Sequence, residues 1–225
     1  MADGQSVKYA VDLVMCIDGT GSMGHLIEEV KSAALKFYER LEARITEKGR
    51  KIDRLRARVI VFRDYWADPA DQVMQCSEFF DLRSQSPDFA NFVSQIQAEG
   101  GGDEPENGLE AVGLALKSNW EKGDFSKQRY VIVVYTDASA HSLDKPPKPK
   151  PSHYPNDIPK TFDDLTDYWH EIPKSAKRLL LFAPDAEPWT MMSSWENTIH
   201  YVSEAAKGLE ELEMGEILDA IANSV

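Results

Sequence analysis

Asp18, Thr20 and Ser22 stand at alternate positions of a glycine-rich stretch, Asp18 to Gly24 (DGTGSMG). Three side-chain oxygens so spaced in a tight turn can converge on one point, and Gly19 and Gly21 let the backbone curl closely enough for it. A second stretch, GGGDEPE, places Asp103 after three glycines, with Glu104 and Glu106 nearby. A third places Asp137, after Thr136, at the end of Tyr130 to Tyr135 (YVIVVY), the most apolar strand-like run of the chain. A carboxylate at the end of such a run needs compensation, and a metal ion supplies it without a basic side chain. Hard cations take oxygen ligands of this kind. Mg²⁺ fits first; Mn²⁺ and Ca²⁺ accept the same donors with different geometry.

The elements that must position these donors follow from periodicity. Val11 to Ile17 (VDLVMCI) is nearly all apolar and predicts a central parallel strand buried on both faces. After the glycine-rich turn, Ile27, Val30, Ala34, Phe37, Leu41 and Ile45 recur at helical spacing and predict one long helix from Leu26 to about Glu47. Ala57 to Phe62 reads as a second strand and Glu78 to Leu82 as a short third. Helices are expected over Pro87 to Ala98 and from the GGGDEPE break through Leu116, and the YVIVVY strand comes next. Lys145 to Pro159 (KPPKPKPSHYPNDIP) is too proline-rich for regular structure and reads as a surface excursion. A helix over Phe162 to His170, strands at Arg178 to Phe182 and Ile199 to Val202, and a helix over Leu209 to Ala222 complete the chain.

Strands alternating with helices predict an α/β fold: a Rossmann-like three-layer α/β/α sandwich of about six mostly parallel strands, forming a single domain over residues 8–225. Such sheets bind ligands at the carboxyl ends of their strands, where strand order reverses. All three donor stretches are expected there. Taken together, DxTxS after strand one, a polar residue after a glycine-rich break, and an Asp closing the next long apolar strand resemble the von Willebrand factor type A domain. The order and spacing of the three stretches carry the resemblance, which spans Val11 to the last helix. It implies a metal-ion-dependent adhesion site. Thr20 and Ser22 would bind the metal through their hydroxyls, and Asp18 and Asp137 directly or through water. Where the family commonly supplies a Thr from the middle segment, this chain has Asp103. GGGDEPE and DASAH look like the intracellular, microbial and α-kinase-linked members rather than the integrins. A third carboxylate tightens metal binding, and by charge cancellation it weakens the pull on a partner's acid.

Other readings of the same residues stay open. Gly19, Gly21 and Gly24 spell GxGxxG, a dinucleotide fingerprint. Asp18 would then sit beside a pyrophosphate, and the acidic residue expected about 20 positions on falls inside the long helix. A Mg²⁺-dependent phosphohydrolase with an aspartyl nucleophile needs a second acid where Thr20 stands and a well-placed Lys, for which only Lys127 and Lys177 come forward. Asp18, Thr20 and Ser22 could simply cap the helix, but that leaves Asp103 and Asp137 unexplained. His25 and His141 read as surface or loop-anchoring side chains, and Arg63 with Asp64 as a local ion pair. Trp189 and Trp195 read as core packing.

Composition narrows the function class. The net charge of −13, from 38 Asp and Glu against 25 Lys and Arg, repels phosphate backbones and anionic membranes, so neither nucleic acid nor membrane is expected as partner. Cys16 and Cys76 form no CxxC pair and hold no zinc cluster. A disulfide between them stays open, although a core of this size does not need one. Residues Met1 to Lys8 lack an apolar leader segment. The expectation is a cytoplasmic, non-catalytic, metal-dependent module that binds a protein partner, with a scaffold or regulatory role beside an enzyme.

Overall fold

The computed structural model describes residues 8–33, 36–102, 104–209 and 213–225. Its sheet holds strands β1 (Tyr9–Asp18), β2 (Arg54–Phe62), β3 (Met74–Cys76), β4 (Phe80–Asp81), β5 (Lys127–Tyr135), β6 (Lys177–Pro184) and β7 (Thr198–Ser203). Their order is β3-β2-β1-β5-β6-β7, with β4 also paired to β2. The pairings of β1 with β2 and β5, of β5 with β6, and of β6 with β7 are parallel. Only β3 and β4 run antiparallel, against β2.

Every residue of β1 is buried, as a central strand covered on both faces requires. Its alternation sorts the two layers. Val11, Leu13, Met15 and Ile17 pack with helices α1 (Gly24–Ala33), α2 (Phe37–Glu47), α3 (Ser86–Ser94) and α7 (Met214–Ser224). Val14 and Cys16 pack with α4 (Gly108–Leu116), α5 (Phe162–Glu171) and α6 (Trp189–Met192). The three-layer Rossmann-like sandwich expected from the sequence is the fold. Both cysteines are free thiols.

Three expectations are corrected. The short third strand expected at Glu78 to Leu82 is only the two-residue β4, and a separate β3, which the sequence did not suggest, precedes it. Between them Ser77 turns its hydroxyl to accept from the Val59 amide at 2.9 Å, so a side chain replaces a rung of the ladder. The long first helix is two helices, α1 and α2; Ala34 lies outside the described residues. The proline-rich stretch is irregular, yet it is anchored: Tyr154 and Ile158 are buried, and Pro149 accepts from the Trp66 indole at 3.2 Å.

Strand order reverses at β1, because β2 lies on one side of it and β5 on the other. The carboxyl ends of β1 and β5 therefore flank the crevice of the sheet. One wall is built by Trp189, wholly buried, whose indole donates to the Ala138 carbonyl at 2.9 Å. A methyl group on Gly108, at the start of α4, would stand 2.6 Å from its ring. Gly108→Ala should therefore cost about 1–3 kcal/mol by overpacking. Urea unfolding is the measurement, and an unchanged midpoint would show that the ring can yield.

Candidate metal centre

Hydrogen bonds between the loops bring the three donor stretches together. β1 ends on Asp18, and the next residue, Gly19, donates to Phe62 O at 2.8 Å and accepts from Glu99 N at 3.1 Å. Gly21 N donates to Gly100 O. The middle segment thus lies on the first turn. It also meets the third: Glu106 N donates to Ser139 O at 3.0 Å and His141 N returns to Glu106 O at 2.8 Å. Gly101 adopts φ +80°, and a side chain there would stand 2.7 Å from the Thr20 methyl, so glycine permits this approach.

Arg63 ties the assembly without neutralising it. Only 1% exposed, its guanidinium donates to the carbonyls of Gly19 (3.0 Å), Glu99 (2.8 Å), Gln72 (2.5 Å) and Gln97 (2.6 Å). The expected ion pair with Asp64 is therefore not what Arg63 makes: its donors go to backbone. Asp64 instead faces His141 Nε2 at 3.4 Å. His141 is buried as a loop anchor, edge-on to Trp66, while His25 is exposed.

Asp18, Thr20, Ser22 and Asp137 form one connected set. Asp18 Oδ1 accepts from Thr20 N at 2.9 Å and Thr20 Oγ1 at 2.7 Å; its Oδ2 accepts from Thr136 Oγ1 at 2.7 Å. Thr20 Oγ1 lies 3.4 Å from Ser22 Oγ, which donates to Asp137 Oδ1 at 3.0 Å. Gly208 N holds Asp137 Oδ2 at 2.7 Å. Asp18 is fully buried, and Ser22 is exposed, so the set opens to solvent on the serine side. Asp103 lies outside the described residues.

Two participants escaped sequence reasoning. Thr136 fixes Asp18, and its only signal was its place between the apolar strand and Asp137. Glu106, noted merely as near Asp103, is 4% exposed, and its Oε2 is buried without a hydrogen-bond partner. Its Oε1 stands 3.0 Å from the point where a Gly101 side chain would begin, the same point the Thr20 methyl approaches.

The electrostatics fit a cation. Burial pushes Asp18 up to about 6 against the pull of the Thr20 and Thr136 hydroxyls, and Asp137 pushes it the same way. Burial, and then Asp18, Asp64, Asp68 and Asp137, push Glu106 to about 9. No basic side chain enters either balance among the main contributors. Hard oxygen donors with surplus negative charge and an unpartnered carboxylate oxygen are what Mg²⁺, Mn²⁺ or Ca²⁺ requires. Among the described residues no three His, Cys, Asp or Glu side chains cluster as a metal group. The described donors are instead a mixture of carboxylates and hydroxyls.

A parallel α/β sandwich with this polar cleft at its switch point defines the class of protein, and comparison gives the family. The von Willebrand factor A domain family matches residues 12–147, more than half of the chain, and the chain belongs to it. Members of this family are generally protein-interaction modules. The chain is 30% identical over 139 residues to an ariadne-like RING finger protein of Acanthamoeba polyphaga mimivirus, covering 62% of this chain and 12% of that one. It is 31% identical over 134 residues to the alpha-protein kinase vwkA of Dictyostelium discoideum, covering 60% and 19%. The pilus adhesin SpaC of Lactobacillus rhamnosus GG shares the fold in one crystal form with a TM-score of 0.59 at 12% identity, over 97% of this chain and 31% of the adhesin. Its open conformation gives 0.56 at the same identity, over 97% and 30%. The chain thus spans less than a third of the length of each of these proteins. No helix among the described residues is long and apolar enough to cross a membrane.

The raised carboxylates set a pH dependence. With both folded-state values above the ordinary carboxylate range, the folded chain holds more protons than the unfolded one between about pH 4 and pH 9. Stability contributed by these protons is present at low pH and is lost as pH rises. The Tm of EDTA-treated protein should fall by roughly 5 °C from about pH 5 to pH 8, and Glu106→Gln should flatten the fall. A profile unchanged by that substitution would show that Glu106 is not the source.

Proposed function

We propose that this domain is a divalent-metal-dependent protein-interaction module. Its metal-ion-dependent adhesion site is held by Asp18, Thr20, Ser22 and Asp137, with a carboxylate from the middle segment. The observation that carries this reading is Asp18, wholly buried at the switch point and answered, among the described residues, by hydroxyls and an amide. A bound Mg²⁺, or Mn²⁺ or Ca²⁺ in its place, supplies the missing positive charge and a Lewis-acidic position for an acidic side chain of the partner. Thr136 holds Asp18 in orientation and the Gly208 amide holds Asp137. Ser22, on the exposed side, stands where a partner approaches.

The middle segment offers Asp103 and Glu106. Glu106 is favoured by its unpartnered buried oxygen beside Thr20. Either carboxylate strengthens metal binding and moderates the pull on an incoming acid, so we place affinity for the metal above affinity for the partner's carboxylate. We further propose a cytoplasmic scaffold or regulatory role beside an enzyme, without catalysis by this domain. The similarity to an alpha-protein kinase of which this chain covers 19% supports that setting, as do the two free cysteines. Neither lysine considered for the phosphohydrolase reading stands at the cleft. Lys177 is buried at the amino end of β6, bound to Trp169 O at 2.8 Å and Glu196 at 2.9 Å. Lys127 is at the amino end of β5, away from the carboxyl ends where Asp18 and Asp137 stand.

Calorimetric titration of Mg²⁺, Mn²⁺ and Ca²⁺ into metal-stripped protein tests the site. One ion per chain is expected, abolished by Asp18→Ala. Glu106→Gln and Asp103→Ala divide the middle segment between them: the true ligand weakens binding about 10-fold or more when replaced. Absence of binding to the native chain overturns the reading. Turnover of a generic phosphate ester that disappears with Asp18→Asn would establish the hydrolase instead.

A further inference from the structure

The opposite end of the sheet carries a second concentration of charge, of the other sign. Along β1, β5 and β6 the side chains facing α2 and α7 alternate with those facing α4 and α5. On the first of these faces, at the amino ends of the strands, stand Tyr9, Lys127, Arg129 and Arg178. Tyr9 pairs with Lys127 in register and Val131 pairs with Arg178, so the cations sit on neighbouring strands. The turn from α2 to β2 adds Arg50 and Lys51. Tyr9, Arg50, Lys51, Lys127 and Arg129 line a cavity of about 310 Å³.

One of these cations has an oxygen partner at the cavity wall: Arg50 donates from Nη1 to Val225 O. Among the described residues none of Arg50, Lys51, Lys127, Arg129 and Arg178 forms a salt bridge. Asp53, close by, is engaged by the Tyr9 amide at 2.8 Å. Arg129 donates from Nη1 to Gln128 O at 3.0 Å and Ser175 O at 2.7 Å, while its Nε is buried without a partner. Arg178 donates from Nη1 to Lys177 O at 2.6 Å. Burial, and then the neighbouring Arg129 and Arg50, hold Arg178 below the usual arginine range. In a chain of net charge −13, a group of like charges this close needs an anion to offset the repulsion.

We propose that this cavity is a binding site for a phosphate monoester group, with Arg129 as its anchoring guanidinium and Arg178, outside the lining, adding positive charge beside it. The planar fork of Arg129 suits the tetrahedral oxyanion, and Arg50, Lys51 and Lys127 neutralise its second charge. The Tyr9 ring closes one wall, 5.7 Å from the Arg129 guanidinium carbon. The site is independent of the metal centre: Tyr9 and Asp18 are the two ends of the ten-residue β1, roughly 30 Å of extended chain apart.

The test is a titration of isotope-labelled chain in EDTA buffer, followed by amide NMR. Its two probes are inorganic phosphate and a short peptide bearing one phosphoserine. Saturable shifts confined to Gly49, Lys51, Lys127 and their neighbours are expected. Arg129→Gln should weaken binding about 10-fold, equivalent to about 1.4 kcal/mol, and Arg178→Gln by less, whereas Lys145→Gln, in the proline-rich loop, should leave it unchanged. Tighter binding of the peptide than of phosphate assigns the group to a protein ligand, and equal or weaker binding assigns it to a free small molecule. Scattered, non-saturating shifts, or binding that persists in the Arg129→Gln, Arg178→Gln double variant with its fold intact by circular dichroism, overturn the proposal. Because the buffer contains no divalent metal, neither result bears on the metal centre.

Discussion

The burial of one carboxylate, Asp18, at the carboxyl end of the central strand is the constraint on which the cleft is built. A charge in that position is costly unless it is hydrogen-bonded, and the chain answers it from two directions. Thr20 folds back from the following turn, and Thr136 reaches across from β5. Parallel pairing of β1 with β5 sets Ile17 level with Tyr135, so the residues just beyond them, Asp18 and Thr136, meet as a consequence of register. A slip of one residue would put a side chain of the opposite face at that point. The ladder of two long apolar strands and the chemistry of their ends are therefore one specification.

The same economy explains Arg63. It is a fully buried cation one residue beyond β2, close to a set of carboxylates that have none. Its donors nevertheless go to the carbonyls of Gly19, Gln72, Gln97 and Glu99. A guanidinium directed at Asp18 or Glu106 would have satisfied either acid. Spent on carbonyls, it draws the first turn and the middle segment together and leaves their acids short of positive charge. Structural reinforcement and an electron-rich cleft are compatible here because arginine offers five donors in a fixed fork.

The fold was legible wherever burial wrote a continuous signal. Val11 to Ile17 and Tyr130 to Tyr135 are apolar on both faces because both faces are covered, and the alternating order of elements followed from them. Asp18, Thr20, Ser22 and Asp137 were legible because glycines and strand ends mark where side chains must converge. Sequence alone could not reveal what depends on contacts distant along the chain. Thr136 acts on a residue 118 positions earlier. Glu106 is set apart from Glu104 by a bridge to Ala140, and no local pattern records that bridge. The proline-rich stretch looked solvated because its composition forbids regular structure, yet Tyr154 within it is buried with its hydroxyl 2.5 Å from Glu110. Irregular backbone and burial are separate properties, and composition reports only the first.

The sheet is electrically polar. Its carboxyl ends gather Asp18, Asp64, Asp68 and Asp137 around Glu106 closely enough to push that carboxyl up, and its amino ends hold paired cations, Arg56 with Asp12 and Lys177 with Glu196, beside the cluster of Arg129 and Arg178. A parallel sheet makes this separation natural, because every long strand contributes its beginning to one side and its end to the other. Segregation costs self-repulsion at both poles, and mixing the charges would relieve it with no change of fold. The metal proposed for one end and the phosphate group proposed for the other would each offset that repulsion.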